Sequence, residues 1–343
     1  MMSETRSLSD LGRFGLTEYI LERCREAGDS GKNSDDDAIL IPKGDTLLSS
    51  VLFLEGINFD LVYTPLQHLG YKIVTAAVTN ILAMNGKPSR LSVNLGISNK
   101  LNLQMVEQLM DGVYSACGDY GISLEAFRPE PSLTGLTIAV TITGKLCAGG
   151  LIKRSGAKET DVICVSGDLG AALLGLHLLE REKRVLKSSD SQQPEFGDND
   201  YVLRRQLKPE ARVDVIDKLN ERGIKPTAIT AITEGLATSL LLLCRASAMG
   251  CRIYENRLPI HQKTLKASSD LTYNPLIAAL NGGEDYELLL TLPLKVYEAE
   301  TSFISEFLTP IGYINEASKA CRMIITNNEE TDLKSPGWGM LYQ

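Results

Sequence analysis

Asn281-Gly282-Gly283-Glu284-Asp285-Tyr286-Glu287-Leu288 sets carboxylates and a phenol just after two glycines and just before an apolar run, Leu288-Leu289-Leu290-Thr291-Leu292. Paired glycines permit a tight backbone and a close approach to another group. Carboxylates and a phenol at the mouth of a buried strand sit where small-molecule sites often lie. A hairpin turn with solvated charges would use the same residue types, so the loop alone does not decide. Gly167-Asp168-Leu169-Gly170 is a second candidate. Its backbone amides could form an anion nest, or Asp168 could simply cap the helix that follows.

The remaining reactive residue types are less suggestive. The seven cysteines are scattered and lack CxxC spacing, which predicts neither a zinc site nor a disulfide framework. Runs such as Val162-Ile163-Cys164-Val165 read as core thiols. His68, His177 and His261 are not spaced as a metal pair, and His177 reads as structural. Lys72 reads as a helix-surface charge. The net charge of -8 argues against nucleic acid or an anionic membrane surface as a partner. An acidic protein can still take phosphorylated substrates if cations lie between the like charges. The polar N-terminus does not read as a signal peptide, and no apolar run nears the ~18 residues of a membrane span. The cytoplasm is the expected location.

These residues need elements to position them. At 343 residues, with 43% hydrophobic and 23% charged residues, two ordinary globular domains are expected. Patterning predicts a helical lead-in over 1–30, strands at 38–41 and 46–54, a small-residue-rich helix over 66–86, a strand at 90–97, a helix over 102–120 and a strand at 135–144. A linker centred on Gly149-Gly150 follows. The second half predicts a strand at 161–166, helices over 170–183, 209–222 and 234–248, a strand at 286–292, a helix over 296–307 and a final strand near 321–326. Residues 187–201 read as a polar surface loop. Alternating strands and helices give an α/β (α+β) fold in two domains, 1–148 and 149–343.

In this order the segments resemble those of the thiamine-monophosphate kinases, relatives of the aminoimidazole ribonucleotide synthetases. The resemblance rests on Leu54-Glu55-Gly56-Ile57-Asn58-Phe59, Ile81 through Pro88, Arg154-Ser155-Gly156-Ala157-Lys158, Gly167 through Ala171, Leu207 through Arg212, Asn281 through Leu288, and Ile311-Gly312-Tyr313-Ile314. It runs over about 11–343. It implies the aminoimidazole ribonucleotide synthetase-like fold, a homodimer paired through N-terminal domains, and ATP-dependent phosphorylation of thiamine monophosphate to thiamine diphosphate. It also implies several Mg²⁺ ions on single aspartates from several loops.

Carried over by position, the resemblance assigns Asp35, Asp36, Asn80 and Glu234 to metal. Arg154, Thr233, Ser50 and Arg128 fall to the nucleotide, and Asn58, Glu284 and Trp338 to the substrate. The chain departs from the family at the charged positions. Val51, Asn80, Arg128 and Ala231 stand where family members carry aspartate, and Glu234 lengthens another by a methylene. Valine and alanine offer no ligand oxygen, and a guanidinium repels Mg²⁺ while suiting phosphate. Impaired kinase chemistry with a partial Mg²⁺ site is therefore expected. The alternative is a catalytically inactive paralogue that binds a phosphorylated ligand or acts as a dimerising or regulatory protein.

Overall fold

The computed structural model describes residues 8–26, 36–188, 197–316 and 320–335. After α1 (Leu8–Glu26), the first half contains β1 (Ile39–Leu40), β2 (Thr46–Leu54), α2 (Leu66–Leu82), β3 (Gly86–Ile97), α3 (Leu103–Tyr120), β4 (Ser123–Pro131) and β5 (Thr137–Leu146). The second half contains β6 (Val162–Ser166), α4 (Ala171–Ser188), α5 (Asp200–Leu207), α6 (Val213–Arg222), β7 (Ala228–Ile232), α7 (Leu236–Ser247) and β8 (Gly250–Tyr254). It continues with α8 (Gln262–Asp270), α9 (Pro275–Asn281), β9 (Glu287–Leu292), α10 (Leu294–Ala299), α11 (Thr301–Ile304), β10 (Leu308–Asn315), β11 (Arg322–Ile324) and β12 (Glu330–Asp332).

Two mixed sheets result. The first is ordered β1-β2-β5-β3-β4, and the second β12-β11-β8-β10-β6-β9-β7. In the first sheet β3 pairs β5 antiparallel and β4 parallel, so β4 is an edge strand. Helices α2 and α3 cover one face of it. They approach closely because Gly112 lacks a side chain: a Cβ there would lie 1.9 Å from the Gln67 carbonyl oxygen.

Helix α2 is buried almost all round, as its apolar, small-residue sequence requires. It touches β2, β5 and β3 of the first sheet and α5 and β7 of the second half. One continuous core therefore joins Ile73 and Val140 to Val215, Leu219 and Leu290. The Gly149-Gly150 segment is pinned by Asn85, whose Nδ2 donates to the Gly150 carbonyl at 2.8 Å. No described helix is long and apolar enough to cross a membrane.

Several elements depart from the sequence reading. Helix α2 stops at Leu82 rather than 86 because Asn85 turns the chain left-handed, at φ 57°. Ser123–Pro131, assigned no element by the sequence reading, is strand β4, and β7, β8 and β10 were not expected as strands either. The 296–307 helix is two short pieces broken at Glu300, with the Thr301 hydroxyl donating to the Tyr297 carbonyl at 2.7 Å. Helix α9 begins with an Asn274 cap and Pro275 in its first turn.

Candidate functional site

The acidic loop lies across the end of β7. Glu284 N donates to the Thr233 carbonyl at 2.8 Å, and Tyr286 N to that of Ile232 at 3.1 Å. Glu284 and Tyr286 adopt left-handed backbone angles, φ 57° and 53°, around Gly283 at φ 72°. A Cβ on Gly283 would sit 2.9 Å from the Thr233 carbonyl oxygen, so this contact requires glycine. Non-glycine residues held at positive φ store strain, which is commonly found at functional sites.

The loop sends its acids to different tasks. Asp285 is completely buried. Its carboxylate accepts from Gly170 N at 2.9 Å and from Ala172 N at 3.5 Å, so the amides that open α4 are satisfied from within the chain. Asp168 does not cap that helix; it accepts from the Tyr201 hydroxyl. Burial pushes the Asp285 carboxyl up to about 7, against the pull of the Arg205 guanidinium. Glu287, also buried, is held by Arg205 and Arg212, each at 3.0 Å, and by the Ser166 hydroxyl at 2.6 Å. Glu284 alone faces open space. It pairs with Lys72, which is 3% exposed and so is an interior cation rather than a surface charge.

Beside Glu284 lies a cavity of about 920 Å³ between the two halves. Strand β2 contributes Ser50 and Val51, and the following loop Asn58, Phe59, Asp60 and Tyr63. Asn80 comes from α2, Glu180 and Lys183 from α4, Thr233 and Glu234 from the β7–α7 turn, and Glu284 and Tyr286 from the acidic loop. Six of the sequence-assigned residues thus meet: Ser50, Asn58, Asn80, Thr233, Glu234 and Glu284.

Some of these already have internal partners. Asn58 Oδ1 accepts from Leu54 N at 2.9 Å, the Asn80 amide donates to Ser49 Oγ at 3.1 Å, and Ser50 Oγ is 2.8 Å from Thr141 Oγ1. Arg128 stands apart, exposed on edge strand β4. Asp36 and Arg154 are also outside the lining. Asp36 Oδ1 accepts from Arg154 N at 3.0 Å, while the Arg154 side chain bonds Asp37 and Thr230, both at 3.1 Å. Asp35 and Trp338 lie outside the described residues.

Sequence reasoning missed Asp60, Tyr63, Glu180 and Lys183. Lys183 Nζ is 2.5 Å from Asp60 Oδ2, 3.6 Å from Glu180 Oε1 and 5.5 Å from the centre of the Tyr63 ring. The (i, i+3) spacing of Glu180 and Lys183 was the available signal, since it sets both on one helix face.

The lining also tests the implied metal. Glu234 supplies a carboxylate and Asn80 an amide oxygen, while Val51 lines the same wall with no donor. Ala231 is 3% exposed within β7. Among the described residues no three carboxylates converge. This set fits a single Mg²⁺ sharing its shell with phosphate and water, because Mg²⁺ takes one or two carboxylates in that setting. Among the described residues it lacks the carboxylates that a cluster of several ions would need.

Comparison with known proteins agrees with this architecture. Residues 34–146 match the family described as AIR synthase related protein, N-terminal domain. The solved structure of AaThiL complexed with AMPPCP and TMP superposes with a TM-score of 0.80 at 26% identity, covering 98% of this chain and 99% of that one. The fold is that of the AIR synthase-like class. The thiamine-monophosphate kinase of Bacillus subtilis is 29% identical over 288 residues, 83% of this chain and 85% of its own. That of Synechococcus elongatus is 29% identical over 318 residues, 91% of each. Over most of its length the chain is thus similar to the thiamine-monophosphate kinases.

Proposed function

We propose that the cavity binds ATP and thiamine monophosphate and catalyses phosphoryl transfer between them at a rate well below that of an ordinary kinase. One observation carries this reading: Val51, Asn80 and Glu234 meet Glu284 in a single cavity, so the ligand end survives while the metal end is short of carboxylates. The relatives' names and the AMPPCP and TMP of the AaThiL complex support the substrates.

In the reaction an oxygen of the thiamine monophosphate phosphate attacks the γ-phosphorus of ATP in line, and ADP leaves. Such transfer depends on positioning and charge neutralisation rather than on covalent work by the protein. Lys183 offers a cation to phosphate. Asp60, Glu180 and Glu284, with Phe59, Tyr63 and Tyr286, make an acidic and aromatic wall suited to a cationic thiazolium ring. Ser50 and Thr233 offer hydroxyls to phosphate oxygens. Arg154 acts by holding Asp36 and Asp37 against β7. Mg²⁺, when bound by Glu234 and Asn80, would neutralise charge between the two phosphate groups.

Residues 1–148 and 149–343 form the two domains in this reading, which places the protein in the cytoplasm as a homodimer. The first sheet supports pairing: Leu52, Leu54 and Phe127 are exposed on it, and a second copy would cover them. Chromatographic detection of thiamine diphosphate from ATP and thiamine monophosphate tests the reaction. Slow product formation supports it. No product, with thiamine monophosphate still bound in calorimetry, would instead favour an inactive ligand-binding paralogue.

A further inference from the structure

Three of the seven cysteines, each from a different segment, converge outside the cavity lining. Cys244 lies in the last turn of α7, Cys251 in β8 and Cys321 just before β11. Their sulfur atoms all lie within 4.8 Å of one another. Among the described residues no other group of three Cys, His, Asp or Glu side chains is so arranged. Cys244 and Cys251 are core thiols, and the sequence reading missed that Cys321 joins them in one cluster. Sequence spacing conceals the cluster because strand pairing, not a CxxC turn, assembles it.

Backbone geometry enforces the convergence. Ala248, left-handed at φ 52°, turns the chain out of α7, and Met249 N bonds the Cys244 carbonyl at 2.9 Å. That return brings Cys251 back beneath Cys244. Strand β11 runs parallel to β8 with Arg322 beside Arg252, which sets Cys321 alongside Cys251. Leu333 N holds the Cys321 carbonyl at 3.0 Å.

Cys251 is fully buried, Cys244 is 1% exposed, and Cys321 is only partly buried. The surroundings are apolar and include Met249, Met323 and Leu333. A zinc–sulfur bond of ~2.3 Å implies sulfur–sulfur separations of ~3.8–4.0 Å, so the three sulfurs need little movement to share an ion. Soft thiolate donors select zinc or copper(I) over Mg²⁺.

We propose that Cys244, Cys251 and Cys321 form a trithiolate site for zinc, with water in the fourth position at the solvent-facing Cys321 edge. On binding, three S–H protons pass to solvent as three S–Zn bonds form, and no electron is transferred. The ion would staple the end of α7 to β8 and β11. Thr238, on the same helix, lines the cavity.

The test uses the full chain, reduced and freed of metal by a chelator. Titration with Cd²⁺ should give a thiolate-to-metal ultraviolet charge-transfer band that saturates at one ion per chain, and Zn²⁺ should displace it. Cys321→Ser should weaken binding at least about tenfold, the scale expected when a metal site is damaged, while Cys24→Ser should leave it unchanged. In the unmutated protein, Zn²⁺ should protect these three cysteines from alkylation, read by peptide mass mapping, so the outcome does not depend on variant folding. No band, a band surviving Cys321→Ser, or no protection would overturn the proposal. A disulfide among the three in protein kept under reductant would also overturn it.

Discussion

Lys72 Nζ lies 2.8 Å from Glu284 Oε2, joining helix α2 of the first half to the acidic loop of the second across 212 residues of sequence. The same ammonium donates to the Gln206 carbonyl at 2.8 Å, and Gln206 Nε2 reaches Glu284 Oε2 at 3.1 Å. This small network sets the one loop carboxylate that faces the cavity. Lys72→Met removes the cation, leaving two acceptors short of a donor. It should lower the unfolding free energy by about 1–3 kcal/mol in denaturant titration and weaken ligand binding. An unchanged midpoint would show that the pair contributes nothing.

Glu287 is the only described acid bonded to both Arg205 and Arg212. Glu287→Gln leaves two guanidiniums facing a neutral amide at a buried site. Breaking a buried ion pair from one side typically costs 3–5 kcal/mol, and a loss of about that size is expected here. Thermal denaturation beside a conservative cavity-wall variant such as Thr233→Ser checks it, and equal melting temperatures would contradict it.

Asp285 gives a pH signature. Its folded value, about 7 from burial, lies above the ordinary carboxyl value near ~3.9. The folded state therefore holds a proton that the unfolded chain has released. Its stabilising contribution is complete below about pH 4 and is lost as pH rises towards 7. Asp285→Asn should gain melting temperature relative to the parent as pH rises through that window, since Glu287 is present in both proteins. A constant difference across the window would contradict the assignment.

Much of this fold was legible in the sequence. The apolar, small-residue stretch from Leu66 predicted α2, and the run Leu288 through Leu292 predicted β9. Strand β7 was not legible, because Ala228–Ile232 is buried throughout and shows no alternation. Strand β4 was hidden because its outer end, Phe127 through Pro131, is exposed and reads as a loop. The Asn274-Pro275 pair did announce α9 and went unused. For the site, the resemblance brought together residues as distant as Ser50 and Glu284. It could not show that Arg154 is tied to Asp37, that Lys72 is interior, or that Lys183 enters the cavity. Those facts depend on which helix faces meet, and no local pattern encodes that.

The exposed Leu52, Leu54 and Phe127 predict self-association. Light scattering at micromolar protein should give the mass of two chains. Leu52→Lys combined with Phe127→Lys, both on exposed positions, should shift it to one chain without loss of helical circular dichroism. A single-chain mass for the unmutated protein would contradict pairing through this sheet.

The proposed shortage of metal-facing acids predicts slow phosphoryl transfer, and steady-state ADP release with thiamine monophosphate and saturating Mg²⁺ tests it most directly. Kinases typically turn over at 1–100 s⁻¹. The unmutated chain should run below ~1 s⁻¹, while Val51→Asp, Asn80→Asp and Ala231→Asp together should raise the rate at least about tenfold, equivalent to ~1.4 kcal/mol of barrier. Turnover at or above ~1 s⁻¹ in the unmutated chain, or no gain in the triple variant, would contradict the account.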